Sequence, residues 1–234
     1  MLPVTMERTQ SQLQTNEFIR SVYNWMAGGL ALTGLAAYYV TSNESFFRLI
    51  FGNRLLFFGL VLAEIILVFS LIARVGKMQA STATGMFLLY SALNGLTLSS
   101  IFMIYTRSTV ASAFFISAAT FVTCSVYGMI TKKDLTSLGS FMAMGLFGIV
   151  IASVVNLFVR SSGMSLVISY IGVFVFIGLT AYDTQKLKIM ARTQPAGIEA
   201  DVVRKGAVMG ALTLYLDFIN LFLMMLRIFG STRE

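Results

Sequence analysis

The sequence predicts an all-α integral membrane protein, a bundle of seven transmembrane helices, and three observations carry that reading. Hydrophobic residues make up 57% of the 234-residue chain and charged residues only 12%, about half the share of a soluble domain. Mean hydropathy is +0.82. The apolar residues fall into runs of about 20, the length that crosses a hydrocarbon layer about 30 Å thick. Breaks between the runs are short, so no second folded domain of the usual ~100–150 residues fits.

Taken in order, residues 1–20 form a polar tail containing Glu7, Arg8, Glu17 and Arg20. The tail lacks an apolar core and a small-residue cleavage site, so the first span is expected to stay as an uncleaved anchor. The membrane domain is expected over residues 21–230, with a short C-terminal tail at 231–234. Its spans are predicted at 22–39, 55–73, 80–105, 110–130, 138–159, 165–187 and 206–229. The breaks carry loop chemistry: Ser-Asn-Glu-Ser at 42–45, Arg-Val-Gly-Lys at 74–77, Thr-Arg-Ser at 106–108, Thr-Lys-Lys-Asp at 131–134, Arg-Ser-Ser-Gly at 160–163 and Arg-Thr-Gln-Pro-Ala-Gly at 192–197. There is no tandem repeat, and internal symmetry is too weak to support an inverted-repeat transporter.

Charge sets the orientation. With seven spans the N-terminal tail shares a side with the second, fourth and sixth loops, which carry 2, 2, 2 and 5 Lys or Arg; the opposite side carries 2, 1, 1 and 2. The bias places the N-terminus and the 186–205 loop in the cytoplasm and the C-terminus outside. A six-span alternative with a re-entrant last segment reverses only the tail. The net charge of +7 does not point to nucleic acid, because the basic residues are spread over loops rather than gathered in a stripe with aromatic residues. A single cysteine, Cys124, excludes an intramolecular disulfide and reads as a small packing residue.

Histidine is absent, which excludes His-containing zinc motifs and His-based triads and leaves any pH response to carboxylates. No nucleophile–base pair or metal-ligand cluster appears, so an enzyme is not expected and no cofactor is assigned. The informative residues are the charges inside spans: Glu64 in the second, Arg74 at that span's cytoplasmic end, Asp183 in the sixth and Asp217 in the seventh. A carboxylate well inside a span costs roughly 2.5–3.5 kcal/mol on insertion scales, so it is rarely found without a polar partner or a water-filled cavity. Asp183 and Asp217 lie on antiparallel neighbours. Facing one another in a dry site, they would share one proton and, doubly ionised, offer oxygen ligands to a hard divalent cation such as calcium.

Depth tests this pairing. Asp217 lies twelve residues beyond Lys205, about 18 Å along a helix, whereas Asp183 lies five before Lys188, about 7.5 Å. Pairing therefore requires the sixth helix to continue past Lys188 towards Arg192, with its lysines snorkelling. The alternative is that each aspartate anchors its helices separately. Arg74 either swings to a carboxylate or marks the membrane edge with Lys77; Glu64 either faces a cavity or makes a buried structural hydrogen bond. Asn220, three residues after Asp217, shares its helical face and supports the carboxylate or bonds between helices. Asn94 and Asn156 read as helix bridges, Gly206 and Gly210 as a weak GxxxG packing signal, and the methionines and phenylalanines as packing or lipid-facing residues.

At these motifs the chain resembles the Bax inhibitor-1 family, the transmembrane Bax-inhibitor-motif proteins, and within it the bacterial members. The resemblance is strongest in Gly-Leu-Thr-Ala-Tyr-Asp-Thr-Gln-Lys (178–186) and Ala-Leu-Thr-Leu-Tyr-Leu-Asp-Phe-Ile-Asn-Leu-Phe (211–222), weaker in 90–100 and 131–135, and covers nearly all of the chain after the tail. It implies six helices around a central seventh, a bacterial inner-membrane location and a pH-sensitive calcium leak. The family's paired aspartates fall on Asp183 and Asp217. Its latching arginine corresponds best to Arg74, although the spacing from the preceding acid is about one residue short, and Glu64 matches an acidic position in the second span of some relatives. Some bacterial relatives instead resemble binding regulators of a membrane-bound quality-control protease, which would require an accessible N-terminal tail.

Overall fold

The computed structural model describes residues 4–195 and 197–230, with side chains described from Leu13 onward. The expected tail at 231–234 lies outside the described residues. Among these the regular structure is helical: α1 (Val4–Ser42), α2 (Glu44–Gly52), α3 (Arg54–Arg74), α4 (Ala80–Leu98), the short α5 (Ile101–Ile104), α6 (Arg107–Ile130), α7 (Thr136–Val159), α8 (Ser162–Arg192) and α9 (Ala200–Phe229).

Among the described residues, six helical segments are long and apolar enough to cross a membrane: Arg54–Lys77, Ala80–Ile104, Arg107–Ile130, Thr136–Val159, Ser162–Arg192 and Ala200–Phe229. They contain the second and the fourth to seventh predicted spans whole, and the third except for Tyr105. The first, 22–39, lies within α1, where Tyr, Asn, Trp, Gly and Thr dilute the apolar character. The helix begins already at Val4, so the polar tail and the first predicted span form one 39-residue helix, about 58 Å long at 1.5 Å per residue. A further departure is α2, an amphipathic nine-residue helix placed where a plain loop is predicted. Asn43 caps it by accepting from the Phe46 amide, and Asn53 caps α3 by accepting from the Leu55 and Leu56 amides.

The chain divides into two compact units, Met1–Ile104 with Ala191–Tyr215 and Tyr105–Met190 with Leu216–Glu234. In the first, α1 and α3 pack on α4. Phe18, Val22, Met26, Gly29, Thr33, Ala37 and Val40 are buried along α1 at the three- and four-residue spacing of a single helical stripe. Close approach of α1 and α4 depends on Gly95, where a Cβ would strike the Thr33 carbonyl and Ala36. The first half of α9 is almost wholly buried in this unit, from Ala207 to Tyr215.

In the second unit, α8 meets α6 at Gly128, where a Cβ would collide with the Ala181 carbonyl, and α7 at Gly139, against which the Tyr182 ring lies. Phe114 and Phe121 of α6 pack edge-on against Phe218 of α9. The span of α9 is 72% buried and that of α7 only 6%, so α9 is enclosed by protein while α7 leaves most of its apolar surface outward. For helices of similar hydropathy that outward surface is what lipid covers.

Candidate functional site

Asp183 of α8 and Asp217 of α9 both belong to the second unit. They stand close enough for the charge of one to act on the other. Asp217 is 5% exposed, and its Oδ2 has no hydrogen-bond partner among the described residues. A buried, unpartnered carboxylate oxygen is costly in a low-dielectric interior and calls for a proton, a cation or water. Asp183 is half-buried, and the nearby cation whose charge reaches it is Lys186, one turn further along α8.

What holds Asp183 in place is the turn that follows it. The helix runs unbroken to Arg192, as the depth argument requires. Lys188 does not snorkel to water, however: it is buried, and its Nζ donates to the carbonyls of Met129 at 2.8 Å and of Gly128 and Thr131 at 3.3 Å. These carbonyls close the end of α6, where a helix leaves its last acceptors unsatisfied and favours a cation. Gln185 pins the following loop, donating to the Lys133 carbonyl at 2.8 Å and accepting from the Leu135 amide at 2.9 Å. Thr184 shares a 3.1 Å bond with Ser125. The buried stripe Ala181, Thr184, Gln185, Lys188 thus fixes the depth of the helix that carries Asp183.

Glu64 lies in the first unit and accepts from the Thr97 hydroxyl at 2.8 Å and the Asn94 amide at 3.3 Å. Asn94 in turn accepts from the Tyr215 hydroxyl at 3.2 Å, and Tyr215 meets Thr33 at 2.8 Å. A polar chain therefore links α3, α4, α9 and α1, and Glu64 has the structural hydrogen bonds that were one of its two expected roles. Arg74 is exposed at the last turn of α3 and makes no ion pair among the described residues. Asn220 donates to its own helix, at the Leu216 carbonyl, 2.8 Å away. Asn156 bridges the turn between α7 and α8, accepting from the Ser161 amide and donating to Ser165 Oγ.

Sequence reasoning missed the contacts of Gln185, Thr33, Thr97 and Tyr215, and expected Lys188 to snorkel where it binds carbonyls. A signal was present for Gln185 and Lys188: polar residues at 184, 185 and 188 share one helical face. For Tyr215, Thr33 and Thr97 nothing in the spacing indicates partners on other helices.

Among the described residues no group of three His, Cys, Asp or Glu gathers to hold a metal. Two carboxylates are oxygen donors of the type calcium takes, but calcium prefers about six to eight oxygens, so water or carbonyls would supply the rest. Such a pair suits brief occupation by a passing ion better than tight storage.

Apolar helices with acids inside three of them, Glu64 of α3, half-buried Asp183 of α8 and buried Asp217 of α9, define a polytopic helical membrane protein. Residues 15–234 match the family model described as inhibitor of apoptosis-promoting Bax1. The chain is 49% identical to inner membrane protein YbhL of Escherichia coli over 94% of this chain and 93% of that one. It is 44% identical to an uncharacterized protein of Borreliella burgdorferi over the full length of both, and 39% identical to an uncharacterized membrane protein of Streptococcus pyogenes over 95% and 96%. The chain belongs to the Bax inhibitor-1 family.

Proposed function

We propose that the protein is a pH-sensitive calcium leak of a bacterial inner membrane, in which the Asp183–Asp217 pair exchanges protons for a passing calcium ion. The observation that carries this reading is the buried Asp217 oxygen without a partner beside a second carboxylate. Lys186 gives Asp183 a countercharge, but the second carboxylate cannot be ionised cheaply beside it unless a further cation arrives, so proton and calcium compete for one place. The half-buried position of Asp183 gives the pair an open side. Glu64 serves the path as a carboxylate held by two donors, and Arg74, exposed and without an ion pair among the described residues, is the candidate gate.

In this reading α1 supplies a seventh crossing through 22–39, the N-terminus lies in the cytoplasm, the C-terminus lies outside, and α9 is the central helix. The burial of α9 and the excess of Lys and Arg in alternate loops support it. Calcium flux into proteoliposomes containing the purified chain, measured across pH, tests the function. A second reading, a binding regulator of a membrane protease, draws on the continuation of α1 back to Val4, which makes the expected tail, from that residue on, part of a helix. Absence of calcium flux from the full-length protein at every pH would favour it.

A further inference from the structure

A cavity of about 640 Å³ opens in the second unit between the α7–α8 turn and the last turn of α9. Its wall carries two guanidinium groups, Arg160 and Arg227, together with Asn156, Ser161, Ser162 and Ser165, and no acidic side chain. Neither arginine makes an ion pair among the described residues. The turn is tight: Arg160 adopts a left-handed backbone, φ 55°, and α8 starts two residues later. The Ser161 hydroxyl accepts the Met164 amide, and Asn156 accepts the Ser161 amide. The Ser162 and Gly163 amides of the first turn are left without an intrahelical acceptor, as at any helix start. Cationic forks and hydroxyls therefore converge on a space large enough for a ligand of many atoms.

We infer that this cavity is a binding site for a phosphate-bearing anion, and that its occupant is the head group of an anionic phospholipid. Two arginines stand here at the membrane end that the positive-inside bias leaves poor in Lys and Arg, which removes orientation as their purpose. Paired planar forks match phosphate oxygens, which a single lysine does less well. Leu157 in the cavity wall is 72% exposed, and Phe158 and Phe229, each two residues along the chain from Arg160 and Arg227, are 83% and 58% exposed, outward apolar surface near the cavity that suits acyl chains. A free phosphate would use the forks but leave both the volume and these side chains unused. The site is independent of the calcium reading.

The test is native mass spectrometry of the full chain in detergent after exposure to phosphatidylglycerol or phosphatidylcholine, with inorganic phosphate as a competitor. Phosphatidylglycerol retention should exceed that of phosphatidylcholine by about tenfold, as expected for charge-assisted contacts. Arg227→Gln, at an exposed position with no hydrogen bond to lose, should cut the preference, and Arg160→Gln/Arg227→Gln should abolish it. Arg107→Gln, outside the cavity, should leave it intact. Equal retention of the two lipids, or an undiminished preference in Arg227→Gln, would overturn the site. Displacement of phosphatidylglycerol by millimolar inorganic phosphate would overturn the lipid assignment in favour of a free anion.

Discussion

The Lys188 ammonium donates to the Met129 carbonyl at 2.8 Å, so the helix that carries Asp183 also closes the end of α6. A buried cation on three carbonyls makes hydrogen bonds worth about 1.5–3 kcal/mol each when charged, less the cost of taking the ammonium out of water. Lys188→Met preserves the stem's apolar bulk and leaves those carbonyls unsatisfied. The expected loss is about 2 kcal/mol, read as a lower unfolding midpoint in detergent, with exposed Lys132→Met as a control near zero. An unchanged midpoint for Lys188→Met would remove the clamp.

Glu64 and Thr97 should behave as one unit. Glu64→Gln keeps an acceptor for the Thr97 hydroxyl but turns its own amide donor towards that of Asn94, and Thr97→Val removes the hydroxyl altogether. Each should cost about 1 kcal/mol, and the double substitution should cost less than the two together, because without the Thr97 hydroxyl the amide introduced at position 64 is free to turn its carbonyl to the Asn94 donor. Strict additivity in unfolding measurements would show that the 2.8 Å contact carries no coupling.

Outside the spans, Asp134 lies one residue before the N-cap position Leu135 and caps the entry to α7 from there, accepting from the Thr136 hydroxyl at 2.7 Å and the Thr136 amide at 2.9 Å. These bonds favour the charged form and hold its pKa below the ordinary 3.8. With the folded value depressed, the cap's contribution is present above the unfolded pKa and is lost as pH falls through the folded value. The destabilisation caused by Asp134→Ala should therefore be full at neutral pH and fade in strong acid. A carboxyl titration by nuclear magnetic resonance should find the Asp134 midpoint below 3.8, and a midpoint at or above it would contradict the cap.

Asp183, Asp217 and Glu64 were legible because a charge inside an apolar run is costly whatever the fold, so their identity as special residues needs no tertiary information. The continuation of α8 to Arg192 was legible too, as a condition on depth. The partners were not. Which carbonyls Lys188 meets, or that Tyr215 reaches Asn94, depends on the rotation and register of helices far apart in sequence, and helical periodicity is silent on both. The short α2 escaped because nine residues are too few for a span, and apolar runs of that length do not distinguish helix from loop or strand. The change from polar to apolar residues near Val22 predicts the start of a span, but it does not mark the start of α1, because polar residues continue a helix as readily as apolar ones.

The central claim is that Asp183 and Asp217 form one proton-and-calcium site. Calcium flux into proteoliposomes, measured across pH for the parent chain, Asp183→Asn, Asp217→Asn and the double variant, tests it most directly. Each single substitution should lower flux by about tenfold, equivalent to about 1.4 kcal/mol of lost cation stabilisation, and alter its pH dependence. The double variant should resemble either single one, since a shared site is lost once. Unchanged flux in Asp217→Asn at every pH, or effects of the two substitutions that multiply, would contradict a shared site.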